Sequence, residues 1–235
     1  HRQRSLAGRI KYILIAGDLV DGIGVYPEQE KDLEITDVYE QYRIVAQYLE
    51  QIPDYINIIV IPGNHDATRQ ALPQPAITKT YAPHLHGLNN VTMLGNPSRL
   101  LLHGVEVLMY HGRSLDDIIA TIPGISYQQL SSTINKAMEI LIKARHLAPV
   151  YGGKTPIAPE EKDYLAIDSV PDIFHTGHVH VIGYENYRGT FLINSGAWQE
   201  QTAFQRKMGL TPIPGIVPVI NLKTLHLTTM DFNPK

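Results

Sequence analysis

Six side chains in this sequence are of the kinds that hold divalent cations or move protons, and they cluster in four short strings: Asp18 in GDLVDG, Asn64 and His65 in GNHD, His111 in YHG, and His178 with His180 in GHVH. Carboxylate oxygen, amide oxygen and neutral imidazole nitrogen are the donors that bind first-row divalent ions. Two such ions about 3.5–4 Å apart would bind a scissile phosphate, acidify a shared water and offset the charge that builds on phosphorus. Asp18 is the natural bridging carboxylate. His178 and His180, two residues apart on an extended segment, would leave the same face with Cα atoms about 6.5 Å apart, a spacing suited to two neighbouring ions. His65 follows Asn64 directly, outside any paired spacing. That suits the general acid that protonates a leaving oxygen, with Asp66 as one candidate to orient its ring.

Strands must deliver these groups. The apolar run Lys11–Ala16 stops at Gly17 and Asp18, as a buried strand feeding a loop would. Val38, Tyr42, Val45, Leu49 and Ile52 recur at helical steps, with Thr36 or Asp37 as a cap and Pro53 as the stop. Ile56–Ile61 reads as a second buried strand, turned by Pro62-Gly63 into GNHD, which suggests a parallel strand-helix-strand unit. Strands at Ser98–His103 and Val105–Tyr110 flank Gly104, and the second runs into His111. A helix is expected from about Ile134 to Leu147, then a loop, APVYGGKTPIAP. The last third alternates short strands and turns: DIFHTG, IGYENY, TFLINS, IVPVINL and LHLTTMDF. In an open α/β sheet, ligands bind beyond the carboxyl ends of the strands, where Asp18, Asn64, His65 and His111 all fall.

The totals set bounds. The 235 residues, 43% hydrophobic, suffice for one large domain, and no run approaches the ~20 apolar residues of a membrane span. The expectation is therefore a soluble chain in a cytoplasmic setting. With no cysteine there is no disulfide framework and no thiolate metal site. A formal charge of −3 gives no general attraction to nucleic acid, although bound cations would neutralise several of the acids counted in it.

In this order, GDLVDG, PGNHD, HG and GHVH resemble the calcineurin-like metallophosphoesterase superfamily. The longer strings PGNHDATRQALPQP, GGKTPIAP, PDIFHTGHVHV and NSGAWQEQTAFQ resemble the small subunits of archaeal family D DNA polymerases, from about Ile10 to Phe232. The resemblance implies an α/β fold, a two-sheet α/β/β/α sandwich spanning residues 1–235, and a 3′–5′ exonuclease that acts on DNA 3′ ends and proofreads for a separate large polymerase subunit. It implies two divalent metal ions, Mn²⁺ by inference, and an archaeal cytoplasm without membrane attachment. By the same resemblance Asp18 bridges the ions, Asn64, His111 and His178 complete the second, His180 ligates the first, and His65 donates the proton. The Asp-x-His that the family places on an earlier strand occurs nowhere in these 235 residues. The chain is therefore expected to be N-terminally incomplete, with one metal position open. The rival expectation is a catalytically silent architectural subunit attached to the large polymerase chain.

Other residues have plainer readings. Arg69 and Arg113 suit a substrate phosphate or an ion pair equally. Asp21 is expected to support Asp18 or to turn the loop. GGKT lacks the glycine that a phosphate-binding loop requires at position 148, where Ala148 stands. His175, at an odd offset from His178, is expected on the opposite face, and the lone Trp198 is expected to be packed.

Overall fold

The computed structural model describes residues 4–233. Contacts divide the chain into two compact units, one of the residues up to Gln70 with Gln74–Asn96, the other of Ala71–Pro73 with the residues from Pro97 onward.

The first unit begins with a single helical turn, α1 (Arg4–Ala7), and strand β1 (Tyr12–Ala16). Helix α2 (Val38–Leu49) starts where Asp37 accepts the Tyr39 N–H at 2.8 Å, one of the two caps the sequence offered. It buries Tyr42, Ala46 and Leu49 against Ile58 and Val60 of strand β2 (Asn57–Ile61). Strands β1 and β2 pair in parallel from Tyr12↔Asn57 to Ala16↔Ile61, so the loops that follow them leave side by side. The short helix α3 (Pro83–His86) leads to β3 (Val91–Met93), which completes a parallel sheet in the order β1-β2-β3. Neither α3 nor β3 is expected from the sequence. Each is too short to display a period, and β3 is held by pairing with β2.

The second unit opens with the expected hairpin, β4 (Ser98–Leu102) and β5 (Val105–Met109), turned through His103 and Gly104, both at positive φ. Helix α4 (Leu115–Thr121) follows His111 almost at once. Helix α5 (Leu130–Ala144) starts four residues before the expected Ile134, because a 3₁₀ turn at Tyr127–Gln129 runs straight into it. Its apolar stripe of Leu130, Ile134, Ala137, Met138 and Leu141 is almost wholly buried. The helix lies close on the sheet at Gly183, where a Cβ would strike Ile134. Strands β6 (Ile173–Thr176), β7 (Ile182–Tyr187) and β8 (Thr190–Ser195) join the hairpin in a five-stranded mixed sheet, ordered β4-β5-β6-β8-β7. Helix α6 (Ala203–Met208) carries a Thr202/Gln205 capping box, and β9 (Ile216–Asn221) with β10 (His226–Asp231) form a separate antiparallel pair.

The α/β class is as expected, with the strands of the described residues arranged in several sheets flanked by helices. Among the described residues, no helix is long and apolar enough to cross a membrane.

Candidate functional site

In the first unit, the loops after β1 and β2 are laced together by reciprocal bonds. Asp18 Oδ1 accepts the His65 N–H at 2.8 Å. In return Asp66 accepts the Leu19 N–H, at 3.2 and 3.3 Å to its two oxygens, together with the Gly63 N–H at 2.8 Å. Tyr42, reaching up from α2, donates its hydroxyl to Asp66 Oδ1 at 3.0 Å and accepts the Ala67 N–H at 2.9 Å. Gln41, one residue earlier, holds Gly22 from both sides, through the Gly22 N–H at 2.9 Å and its carbonyl at 3.2 Å. Gly22 has φ +69, and a Cβ there would strike the His65 carbonyl, so only glycine fits this approach. Gln74 supports the other side, donating to the carbonyls of Gly63 and Arg69, each at 3.0 Å.

His65 is therefore fixed by its backbone, and its ring is fixed by a neighbour that differs from the one expected. Nδ1 lies 2.8 Å from the Asp21 carbonyl oxygen, whereas Asp66 is spent on backbone amides and Tyr42. A carbonyl only accepts, so Nδ1 carries the hydrogen and Nε2 faces Asp18 Oδ2 at 4.0 Å. Asp66 is buried, and burial together with the negative charge of Asp18 pushes its carboxyl up to about 6, against the pull of the Gly63 N–H, the Tyr42 hydroxyl and the Leu19 N–H. Asn64, buried beside His65, completes this unit's set of candidate donors.

In the second unit the parallel neighbours β5 and β6 do the same work. The Tyr110 N–H donates to the His175 carbonyl at 2.9 Å and the Gly177 N–H to the His111 carbonyl at 2.8 Å, which carries the pairing past the strand ends. His111 is buried, and its ring meets His178 edge-on at 5.1 Å. The turn after His111 is pinned by Tyr110, whose hydroxyl donates to Ser114 Oγ at 2.9 Å and accepts the Ser114 N–H at 3.0 Å. Under the Gly177 loop, the buried Asn194 donates to the Gly177 carbonyl at 2.6 Å and to Thr176 Oγ1 at 2.9 Å.

The backbone of GHVH differs from the extended one expected. Strand β6 stops at Thr176, and His178 and His180 both adopt left-handed conformations, φ 70 and φ 54. Val179 and Val181, between and beyond them, are buried in the core, while His178 turns to Asp116 and His180 to Gln205. His175 stays on the strand, fully enclosed, and burial alone pushes its imidazole down to about 4. His180 Nδ1 is 2.7 Å from Gln205 Nε2, while Gln205 Oε1 accepts the Thr202 N–H within the capping box. In this arrangement Nδ1 of His180 accepts, and its Nε2 holds the hydrogen; metal ligation through Nε2 requires Gln205 to turn over.

Sequence reading missed Asp116. From the first turn of α4 its Oδ2 contacts His178 Nε2 at 2.9 Å, and its Oδ1 accepts the Tyr127 hydroxyl at 2.6 Å. Burial raises the Asp116 carboxyl, but the charge and hydrogen bond of His178, the Tyr127 hydroxyl and the charge of Arg113 outweigh it and hold the group below the usual carboxylate range. Its neighbour Asp117 faces the GGKT loop and accepts the N–H groups of Lys154 at 2.6 Å and Thr155 at 3.1 Å, with Thr155 Oγ1 at 2.5 Å. Those amides are turned to a carboxylate of the chain itself. Trp198, expected to be packed, is 68% exposed and lies 5.4 Å from the ring of Phe232.

Each unit taken by itself offers donor types that suit divalent first-row cations, carboxylate and amide oxygen with the His65 imidazole in the first and the imidazoles of His111, His178 and His180 in the second. The class so defined is an α/β protein whose strand-end loops carry oxygen and imidazole donors. The profile of the DNA polymerase alpha/epsilon B-subunit family matches residues 4–181, and the chain belongs to that family. It is 54% identical over 220 residues to the DNA polymerase II small subunit of Archaeoglobus fulgidus, covering 93% of this chain and 43% of that protein. The DNA polymerase II small subunit of Methanocaldococcus jannaschii is 53% identical over 220 residues, covering 94% of this chain and 36% of its own length. The chain thus spans less than half the length of these relatives. Among solved structures, an archaeal phosphodiesterase aligns at 15% identity with a TM-score of 0.41, over 80% of this chain and 74% of that one.

Proposed function

We propose that the chain is the phosphoesterase domain of a replicative polymerase small subunit and removes nucleotides from DNA 3′ ends in a metal-dependent 3′–5′ exonuclease reaction, alongside a large polymerase subunit. The observation that carries this reading is the bonding of His65, with its backbone on Asp18, Nδ1 on the Asp21 carbonyl and Nε2 directed toward Asp18 Oδ2. A buried carboxylate beneath it, Asp66, anchors both loops. Asp18, Asn64, His111, His178 and His180 are the residues we assign to divalent cations, with Mn²⁺ as the expected ion. When bound, such cations supply Lewis acidity at the phosphate. The chain's own part is then acid catalysis and orientation. Because Nδ1 is committed to Asp21, the second proton of a charged His65 sits on Nε2, and that proton passes to the departing 3′ oxygen. Asp18 steadies the backbone of the donor while its second oxygen faces Nε2.

The test is a labelled single strand incubated with Mn²⁺ and the subunit at the full length of its relatives. His65→Ala is expected to slow release of nucleotides from the 3′ end by about 10²–10⁴-fold while Mn²⁺ binding by calorimetry persists. Undiminished excision in that variant would remove His65 from the mechanism, and a wild-type subunit that binds no Mn²⁺ would favour a purely architectural role.

A further inference from the structure

Asp116 stands outside the residues assigned above, yet it decides which atom of His178 is available. Its Oδ2 lies 2.9 Å from His178 Nε2. An ionised carboxylate has only acceptors, so the ring must donate there. A neutral imidazole has one hydrogen, and with that hydrogen on Nε2 the lone pair is on Nδ1. The Asp116 contact fixes which end of the ring carries Nε2, and the His111 ring packs edge-on against it at 5.1 Å. The carboxylate is itself held from its other oxygen by the Tyr127 hydroxyl at 2.6 Å.

We propose that Asp116 is a positioning residue that fixes His178 in the Nε2–H tautomer and so makes Nδ1 its metal-facing atom, with Tyr127 locking the rotation of the carboxylate. The metal-facing half of this statement rests on the assignment of His178 to a divalent cation; the tautomer does not. A hydrogen bond from the outer nitrogen of a ligating histidine to a carboxylate commonly changes metal affinity 10–100-fold when it is lost. Here one substitution should do more than delete it. In Asp116→Asn the Tyr127 hydroxyl still needs an acceptor and takes the amide oxygen, which turns the amide NH₂ toward His178 Nε2. That nitrogen must then accept, and the ring's hydrogen moves to Nδ1, the atom the metal needs bare.

The experiment has two readouts on the whole chain. In ¹⁵N-labelled, metal-free protein, long-range ¹H–¹⁵N spectra report which nitrogen of His178 carries the hydrogen, the signal being assigned by its loss in His178→Gln. The expected result is Nε2–H in the wild type and Nδ1–H in Asp116→Asn. Calorimetry with Mn²⁺ alone should show affinity about 10–100-fold weaker in Asp116→Ala, which deletes the bond but exerts no pull on the tautomer, a larger loss in Asp116→Asn, and a several-fold loss in Tyr127→Phe, which keeps the ring in place. An Nδ1–H ring in the wild type, or an unaltered tautomer in Asp116→Asn, would overturn the proposal whatever the metal does. A wild type with the Nε2–H ring that binds no Mn²⁺ would instead overturn the metal assignment and the metal-facing half with it, while the fixed tautomer stands.

Discussion

Tyr42→Phe probes the support beneath GNHD without touching a candidate ligand. The substitution keeps the ring, so it leaves no cavity, and removes one hydroxyl that donates to Asp66 Oδ1 at 3.0 Å and accepts the Ala67 N–H at 2.9 Å. Asp66 keeps the Gly63 and Leu19 amides, whereas the Ala67 N–H loses this partner. Leaving a buried polar group without its partner costs about 1–3 kcal/mol. The Ala67 N–H is only partly buried and Asp66 keeps its other donors, so the expected loss is about 1–3 kcal/mol. Because the hydroxyl also pulls the Asp66 carboxyl down, its removal should raise that group further above about 6. Urea unfolding of wild type, Tyr42→Phe and the control Tyr39→Phe measures the first effect, and carboxyl ¹³C titration of Asp66 the second. Tyr39 is exposed, and its variant should stay within about 0.5 kcal/mol of the wild type. A Tyr42→Phe protein equally close to the wild type, with an unshifted Asp66, would refute the idea that this hydroxyl ties the two loops to α2.

His175 gives a pH dependence of known sign. Burial holds its folded-state value down to about 4, below the ordinary ~6.5, so its contribution is full above about 6.5 and is lost as pH falls through about 4, a span of about 3 kcal/mol. Urea unfolding at neutral and mildly acidic pH should show a shallower acid loss in His175→Leu, and equal slopes in both proteins would count against it. Asp117→Ala removes the acceptor of three donors from Lys154 and Thr155 and should free the GGKT loop, seen as trypsin cleavage after Lys154 at least about tenfold faster. Unchanged cleavage would mean the loop is held by something else.

Much of this architecture was legible because buried parallel strands are short apolar runs with abrupt polar ends. Tyr12–Ala16, Asn57–Ile61 and Val105–Met109 each stop within a few residues of a candidate site group. Helix α2 announced itself by period and cap. What stayed hidden depends on contacts between distant residues. Asp116 meets His178 across 62 positions, and no local pattern marks a carboxylate on the first turn of a helix as the partner of that ring. The orienting group of His65 was missed for a different reason, because the contact uses the Asp21 main-chain carbonyl, which every residue possesses. The left-handed backbone at His178 was also misread, since alternating apolar and polar residues look alike in a strand and in a tight loop whose valines are buried.

That backbone has a bearing on how the family could be read. Asp18, His178 and His180 occupy φ values of 54, 70 and 54, a region that side-chain-bearing residues enter at a cost of about 1 kcal/mol each and glycine enters freely. Replacement by glycine or asparagine at these three positions would therefore relax the backbone, so a carboxylate and two imidazoles are kept there at a local cost in stability. Under the metal-dependent reading proposed above, a relative that had lost that chemistry is expected to carry those replacements first, an expectation that sequences alone can check.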